Sequence, residues 1–199
     1  MALNPPLTQS IDPSTEEQCI TPTPYESEFF FLMRDSLSFS LTDPSTSATY
    51  KATGRLYLTS NRLCFLEKGM CKLGGRPLIH SKTGQEWAGV DLPLEMLINH
   101  KFGQPIFGAN YLGGECSVVA GGGFGGDRVK FRFTFKRGGV GTVLPIFYRL
   151  TKFIERRRNG GGEYNENGGD SNPMHMGEDD AQRIREGYMD PNDPSVIFM

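Results

Sequence analysis

Hydrophobic and polar residues alternate one by one near position 130 of this chain. Val129, Phe131, Phe133 and Phe135 occupy the odd positions, and the even positions between them are mostly cationic. A period of two places successive side chains on opposite faces of an extended strand, so the pattern predicts a half-buried strand. We expect the phenylalanines to point into a core and the cations to face solvent.

A glycine-rich stretch, VVAGGGFGGD, precedes this strand. Its glycines include the spacing G-x-G-x-x-G of dinucleotide-binding loops, which require a helix directly after the glycines to hold the pyrophosphate. Here a strand follows, and residues 115–119 before the glycines also read as a strand. We therefore predict no bound cofactor and interpret the glycines as a hairpin, in which they adopt turn conformations at little steric cost. The structural glycines are Gly121, Gly122, Gly123, Gly125 and Gly126.

Similar patterns upstream predict more strands. The segment EFFFLMRDSLSFSLTD alternates towards its end, TGRLYLTSNRLCFLEKG reads as a hairpin that turns at Thr59-Ser60-Asn61, and EWAGVDLPLEMLINHKF suggests another strand. Each run combines apolar and β-branched or aromatic residues with turn residues at its ends. The chain is therefore predicted to be mainly β, with about seven strands.

The period changes to three or four residues in GTVLPIFYRLTKFIERRR, residues 141–158. This spacing predicts an amphipathic helix. Thr142 should cap its N-terminus, Pro145 should fall in the first turn, and Asn159-Gly160 should end it. We expect this helix to close a small β-barrel with an apolar face made of Val143, Ile146, Phe147, Leu150, Phe153 and Ile154.

The net charge of −2 conceals three regions of different charge. Residues 25–158 hold 19 Lys and Arg against 11 Asp and Glu, a net charge of +8, whereas residues 1–24 carry −3 and residues 159–199 carry −7. The first acidic region is rich in Pro, Ser and Thr and the second in Gly and Asn, so neither is expected to bury enough apolar surface to fold. We predict two disordered tails around one domain, residues 25–158, whose basic surface attracts nucleic acid, anionic lipid or an acidic partner.

Several functional classes lack their expected motifs. The chain shows neither a run of about 20 apolar residues nor a secretory leader, so we expect an intracellular protein that is not secreted and has no transmembrane segment. The cysteines and histidines form no closely spaced ligand pairs, which argues against a metal site and for reduced thiols. No motif pairs a nucleophile with a base, so no catalytic residue is assigned and we expect a non-enzyme. The residues considered are Cys19, Cys64, Cys71, Cys116, His80, His100 and His175.

Two segments carry a family resemblance. GRLYLTSNRLCFL resembles the signature hairpin of GRAM domains, a variant of the pleckstrin-homology (PH) fold. QPIFGANYLGGECSVVAGGGFGGDRVKFRFTFKRGG is similar to the most characteristic stretch of the WW-domain-binding protein 2 family. The resemblance covers roughly Phe29 to Ile154. It implies a GRAM/PH-like fold, a partly open β-barrel capped by the final helix.

The resemblance also implies a function. Members of the family are viewed as non-enzymatic adaptors and transcription coactivators that move between cytoplasm and nucleus and are recruited to chromatin. They present Pro-Pro-x-Tyr motifs to WW domains. This chain has PPLT at 5–8 and PTPY at 22–25 but no Pro-Pro-x-Tyr, which argues against WW-domain binding. Its last residues, VIFM at 196–199, are either a frayed end or a strand that adds to a sheet edge.

The basic residues of the predicted strand and helix are our candidate surface for an anionic partner such as chromatin or a transcription factor. A solvated charged face is the simpler interpretation, and without a base-reading motif we do not expect sequence-specific DNA binding. Phosphoinositide or anionic-membrane binding is an alternative, although the loop TDPSTSATYK offers only Lys51 against Asp43 where GRAM/PH relatives gather head-group lysines. A plain protein-interaction scaffold is another. The candidates are Arg128, Lys130, Arg132, Lys136, Arg149, Lys152, Arg156, Arg157 and Arg158.

Overall fold

The computed structural model describes residues 1–12, 15–159 and 182 of the 199-residue chain. These residues form twelve strands, a 3₁₀ turn (Leu94–Met96) and one long helix. In chain order the elements are β1 (Ala2–Leu3), β2 (Leu7–Ile11), β3 (Gln18–Pro22), β4 (Phe30–Asp43), β5 (Ala48–Thr59), β6 (Arg62–Glu67), β7 (Leu78–Ile79), β8 (Glu86–Trp87), β9 (Gly89–Pro93), β10 (Leu97–Gly103), β11 (Tyr111–Ser117), β12 (Arg128–Thr134) and α1 (Val140–Arg158).

Eight of the strands form one antiparallel sheet in the order β1-β9-β6-β5-β4-β12-β11-β10. The sheet consists of two meanders, one through β4, β5, β6 and β9 and one through β10, β11 and β12. They join where β12 pairs with β4, with Phe133 opposite Phe39. Because β1 and β10 lie at opposite ends of the order, the sheet stays open. The predicted mainly β fold, with a sheet that stays open and a C-terminal helix over the core, is confirmed. The described residues form twelve strands where about seven were predicted.

The core lies between the inner face of this sheet and α1. Phe131, Phe133 and Phe135 are buried there, as the alternation predicted. The ring centre of Phe133 lies 4.9 Å from that of Phe39, which stacks on Phe65 at 4.5 Å. Burial of one such side chain stabilises the fold by about 1.5–3 kcal/mol. The inward phenylalanines therefore hold the two meanders and the helix together.

Helix α1 covers the core with its predicted apolar face, but it begins earlier than predicted. Val140 is the first helical residue and Gly139, with φ of 80°, is the cap. Thr142 consequently lies buried inside the first turn, and Pro145 falls in the second turn. The sequence favoured Thr142 because its hydroxyl can cap a helix. The chain instead enters the helix through Gly138 and Gly139, which both adopt positive φ.

Residues 1–24 fold onto the domain, contrary to the predicted disorder. Strand β1 pairs with β9, placing Ala2 opposite Asp91, and Met1 is buried in the core. Strands β2 and β3 form a hairpin of their own, with residues 13 and 14 between them outside the described part. The segment is too polar to fold alone. Its backbone is satisfied where β1 pairs with β9 and where β2 pairs with β3, which lowers the cost of ordering it.

Arg62 fastens the end of this segment to the body through a buried ion cluster. Its side chain is 1% exposed and donates to Glu28 at 2.8 and 2.9 Å, to Asp91, and to the carbonyl of Thr23 at 2.6 Å. The ring of Tyr25 lies over the guanidinium at 3.8 Å. Two carboxylates and a carbonyl thus supply the partners that a buried guanidinium requires.

The C-terminal predictions fall mostly beyond the described chain. Helix α1 ends at Arg158 and Asn159 caps it, as expected. The acidic tail and its VIFM segment lie outside the described residues, apart from Asn159 and Gln182. Within the described part of the chain, no helix is long and apolar enough to cross a bilayer.

Candidate anionic-partner surface

The outer face of β12 carries three of the predicted cations. Exposed and buried residues alternate along this strand, so Arg128, Lys130 and Arg132 face solvent while Phe131 and Phe133 face the core. Alternate residues of a strand are about 7 Å apart. The pattern that builds the core therefore also lines up three cations on the opposite face.

Strand register extends these cations into a row across the sheet. Arg132 lies opposite Gly113 on β11 and Ser40 on β4. Gly113 in turn lies opposite Lys101 on β10, and Ser40 lies opposite Lys51 on β5. Residues paired in this way share one face of the sheet, so Lys51, Arg132 and Lys101, all exposed, form a cationic row. Since neighbouring strands are about 4.8 Å apart, successive members of the row are about 10 Å apart.

The surroundings of the cationic row contain little negative charge. No Asp or Glu occurs in residues 96–114 or 128–154. Among the residues that pair with β12, Glu115 is the one acid, and its carboxylate lies 3.9 Å from Arg128. We call the cationic row together with Arg128 and Lys130 the basic sheet face. Within the cationic row the intervening residues, Ser40 and Gly113, are neutral, whereas Glu115 lies opposite Lys130.

Arg132 is held in place by an aromatic ring. Its guanidinium carbon lies 4.0 Å from the ring centre of Tyr111, at the first position of β11. A guanidinium stacked on an aromatic face keeps its charge and its outer N–H groups available to a partner. The stacking also directs Arg132 towards the loop that joins β10 to β11.

The helical cations form a second surface. Helix α1 packs against the core through its apolar face, and the cations of β12 point away from that core, so one flat partner cannot contact both sets. Arg157 is half-buried, with its guanidinium carbon 4.5 Å from the ring centre of Phe153. Lys136 is exposed just beyond β12. The exposed helical members are Arg149, Lys152, Arg156 and Arg158.

The glycine stretch is a loop between β11 and β12, which pair as an antiparallel hairpin. Gly121 and Gly123 have φ of 80° and 86°, a region that side chains disfavour. The carbonyl of Gly122 accepts a hydrogen bond from the Leu3 N–H at 3.2 Å. The glycines therefore form the loop of the hairpin predicted from the sequence, and a strand follows them. The N-terminal segment packs on this loop.

Asp43 ties this glycine loop to the turn between β4 and β5. Its buried carboxylate accepts hydrogen bonds from the Ser45 N–H at 2.9 Å, the Ser45 hydroxyl at 2.6 Å and the Gly125 N–H at 2.9 Å. Burial by itself raises the pKa of Asp43, but these hydrogen bonds bring the pKa below its ordinary value. The Asp43 carboxylate is thus used to join the turn and the glycine loop.

A polar cleft of about 420 Å³ lies between the β2–β3 hairpin and β4 and β5. Arg55 dominates it, but Asp35 binds this guanidinium at 2.6 and 3.0 Å and Asp12 lies 3.1 Å from it. Its charges are largely balanced internally. The cleft therefore offers an anion less than the basic sheet face does.

Sequence reasoning missed part of this surface. Lys51 was placed in a loop but lies on β5, and Lys101 was not selected at all. Lys51 and Lys101 lie in one row with Arg132 because of the pairing register across five strands, and no local sequence pattern predicts that register. Ile106 and Phe107 were also missed; they are 93% and 94% exposed in the β10–β11 loop. The signal for them was two bulky apolar residues between Pro105 and Gly108, outside any strand pattern.

Comparisons with known proteins add little to this geometry. No protein-family model matches the chain, and no curated protein matches it. A solved structure titled "Vps36 N-terminal PH domain" is similar over 75% of this chain and 95% of that one, with 12% identity and a TM-score of 0.46. Another, titled "The 8S snRNP Assembly Intermediate", covers 82% and 99%, with 9% identity and a TM-score of 0.38. At TM-scores below 0.5, neither likeness carries a conclusion about ligand or activity.

Proposed function

We propose that this chain is a non-enzymatic binding module that attaches to an anionic partner through its basic sheet face. The observation that carries the proposal is the cationic row, three exposed cations on one face with neutral residues between them. Since the Debye length is about 8 Å at physiological ionic strength, cations about 10 Å apart act as separate contacts and suit a broad charged surface.

The non-enzymatic part of the proposal is supported by the histidines and cysteines among the described residues, which pack in the fold or hydrogen-bond within it. His80 is buried, with its ring nitrogens 3.0 Å from the Thr83 hydroxyl and from the Thr49 carbonyl. His100 packs edge-on against Phe147, and burial lowers its pKa. Burial raises the pKa of the Cys71 and Cys116 thiols to about 11, which disfavours the reactive thiolate.

The family resemblance supports a finer proposal, an adaptor that acts as a transcription coactivator in nucleus and cytoplasm and is recruited to chromatin. Its support is the pair of segments that resemble GRAM domains and the WW-domain-binding protein 2 family. The basic sheet face would then contact nucleosomal phosphate or an acidic protein segment without reading bases. Such contacts weaken steeply as salt rises.

Charge reversal tests the shared part of these proposals. We expect the triple variant K51E/K101E/R132E of the full chain to lose at least about 100-fold in affinity for anionic vesicles or nucleosomes, since each cation near an anionic surface contributes about 1 kcal/mol. The matched control is K152E/R156E/R158E, which changes the net charge equally on the helical surface. Binding is measured across a salt series, with circular dichroism to confirm folding.

The outcomes separate the candidate partners. Binding by the wild-type chain to nucleosomes but not to vesicles favours the chromatin adaptor, and the reverse favours a membrane module. Equal losses in the two triple variants would show that only net charge matters and would overturn the assignment to the basic sheet face. If neither partner binds at low salt, the proposed function fails.

A further inference from the structure

The β10–β11 loop presents two apolar side chains almost entirely to solvent. Ile106 and Phe107 are 93% and 94% exposed, the most exposed of the large hydrophobic residues described. Adjacent side chains exposed to this degree project from the surface, since neither the loop nor the sheet covers them. A single exposed apolar residue is ordinary on a protein surface, but such a projecting pair calls for an environment that covers it.

The loop is built to hold this pair outward. The hairpin closes at Gly103 opposite Tyr111, and the ring of Tyr111 fills the space that a Cβ on Gly103 would occupy. The Asn110 carbonyl accepts a hydrogen bond from the Phe135 N–H at 2.8 Å, which fixes the base of the loop to the end of β12. Gly108 has φ of 125°, a conformation that glycine adopts most readily.

Cations surround the base of the loop. Arg132 reaches it by stacking on Tyr111, and Lys136 and Arg137 follow Phe135 directly. Lys101 lies on β10, two residues before the last strand pair. No Asp or Glu occurs from residue 96 to residue 114, so the β10–β11 loop and the strand residues next to it carry no negative charge. Glu115, further along β11, is the one acid of this hairpin.

The apolar tip and the cationic base of the loop match the two layers of an anionic membrane surface, the acyl chains and the charged head groups. Ile106 lies three residues beyond Gly103, so an extended chain carries it at most about 10 Å past the last strand pair. Interfacial segments bury their apolar side chains about 5–10 Å into the boundary between head groups and acyl chains. Cations at the base of such a tip would remain at the level of the head groups.

We propose that Ile106 and Phe107 insert into the interface of an anionic bilayer while Lys101, Arg132 and Lys136 contact its head groups. This inference rests on the proposed function of the basic sheet face and names a bilayer as its partner. Stable attachment of a peripheral protein takes two signals. Here an apolar tip on the β10–β11 hairpin and cations of β10 and the end of β12 occur at the same end of the sheet. Both side chains project from the surface, which suits insertion into a fluid interface.

Full-length protein and vesicles of phosphatidylcholine with or without phosphatidylserine provide the test. We expect I106S/F107S to reduce partition onto the mixed vesicles at least about 30-fold at physiological salt. The matched control, I11S/I79S, removes two exposed apolar residues elsewhere, 63% and 68% exposed, and should leave partition unchanged. In a second measurement, Phe107→Trp should be quenched by brominated acyl chains, whereas the buried Trp87 of the parent chain should not.

The possible results distinguish the insertion from the proposed function. If K51E/K101E/R132E abolishes vesicle binding but I106S/F107S does not and Phe107→Trp stays unquenched, the insertion is overturned and the basic sheet face stands. If wild-type protein binds nucleosomes and ignores vesicles, the insertion is likewise overturned. Loss of binding to a protein partner in I106S/F107S, with vesicle partition intact, would make the tip a protein contact and also overturn the inference.

Discussion

Two arginines of this sheet, Arg62 and Arg132, lie in opposite electrostatic environments. Arg62 is 1% exposed and is surrounded by Glu28, Asp91 and a carbonyl. Arg132 is exposed, stacks on Tyr111 and has no acidic partner among the described residues. Burial forces a charge to find partners inside the protein, whereas an exposed charge among neutral neighbours keeps its interaction capacity for another molecule.

The difference separates residues that maintain the fold from residues that serve binding. Arg62 joins the N-terminal segment to β6 and β9, so its charge is paired with carboxylates of the same chain. The cationic row spans β5, β12 and β10 without an internal carboxylate. We therefore expect substitutions in the first region to change the free energy of unfolding and substitutions in the second to change affinity.

The largest effect is expected from Arg62→Ala. Removing the guanidinium leaves Glu28 and Asp91 buried without their counter-charge, which lowers the free energy of unfolding by about 3–5 kcal/mol. Urea denaturation followed by Trp87 fluorescence measures this loss. Lys130→Ala, on the exposed face, should change it by no more than about 0.5 kcal/mol. Similar losses in both variants would erase the distinction between the two regions.

Asp43→Ala should have an intermediate effect, because the Asp43 carboxylate bonds to the β4–β5 turn and to the glycine loop. Its loss leaves the partly buried N–H groups of Ser45 and Gly125 without their acceptor and lowers the free energy of unfolding by about 1–3 kcal/mol. Affinity for an anionic partner should not fall, since no cation of the row depends on this carboxylate. A loss of affinity as large as that of a cationic-row variant would contradict this assignment.

The pH dependence of stability sharpens the same prediction. The pKa of Asp43 in the folded protein lies below its ordinary value of 3.8, so the carboxylate contributes stability above that pH. The contribution disappears as the pH falls from 3.8 towards the folded-state pKa. The stability gap between the wild type and Asp43→Asn should therefore be constant at neutral pH and narrow in acid. A stability gap that widens in acid would contradict the lowered pKa of Asp43 in the folded protein.

The smallest effect is expected from Tyr111→Leu. An exposed cation–π contact contributes about 0.5–1 kcal/mol, and its loss frees Arg132 to adopt other rotamers. Affinity for an anionic surface should fall about two- to fivefold, with little change in the urea midpoint. Arg132→Lys, which keeps the charge but lacks the planar stacking group, should lose a comparable amount. Retention of full affinity by both variants would show that the stacking of Arg132 on Tyr111 does not contribute to binding.

Much of the fold could be predicted from local patterns. The alternation at Phe131 and Phe133 and the helical spacing around Phe147 report burial directly, and the structure places all three in the core. The first 24 residues could not be predicted in this way, because β1 is stabilised by pairing with β9, almost ninety residues away in the chain. Composition measures what a segment can bury by itself and not what an existing edge offers it.

The candidate site was predictable only in part, for a related reason. Arg128, Lys130 and Arg132 lie on one strand, so a period of two was enough to place them on one face. Lys51 and Lys101 join them through the register of β4, β5, β10 and β11, which depends on turns and bulges throughout the domain. The nine predicted cations also divide between two surfaces, because the helix and the outer face of β12 lie on different sides of the core.

Strand β10 is an edge strand of the main sheet, and its pairing with β11 is irregular. Its pairing shifts between Ile98 and Lys101, where Asn99 adopts φ of 52°. A bulge with a charged residue on an end strand discourages a strand of another molecule from extending the sheet. Lys101 therefore limits self-association as well as contributing to the cationic row, so neutralising it would favour growth of the sheet from one molecule to the next in concentrated solution.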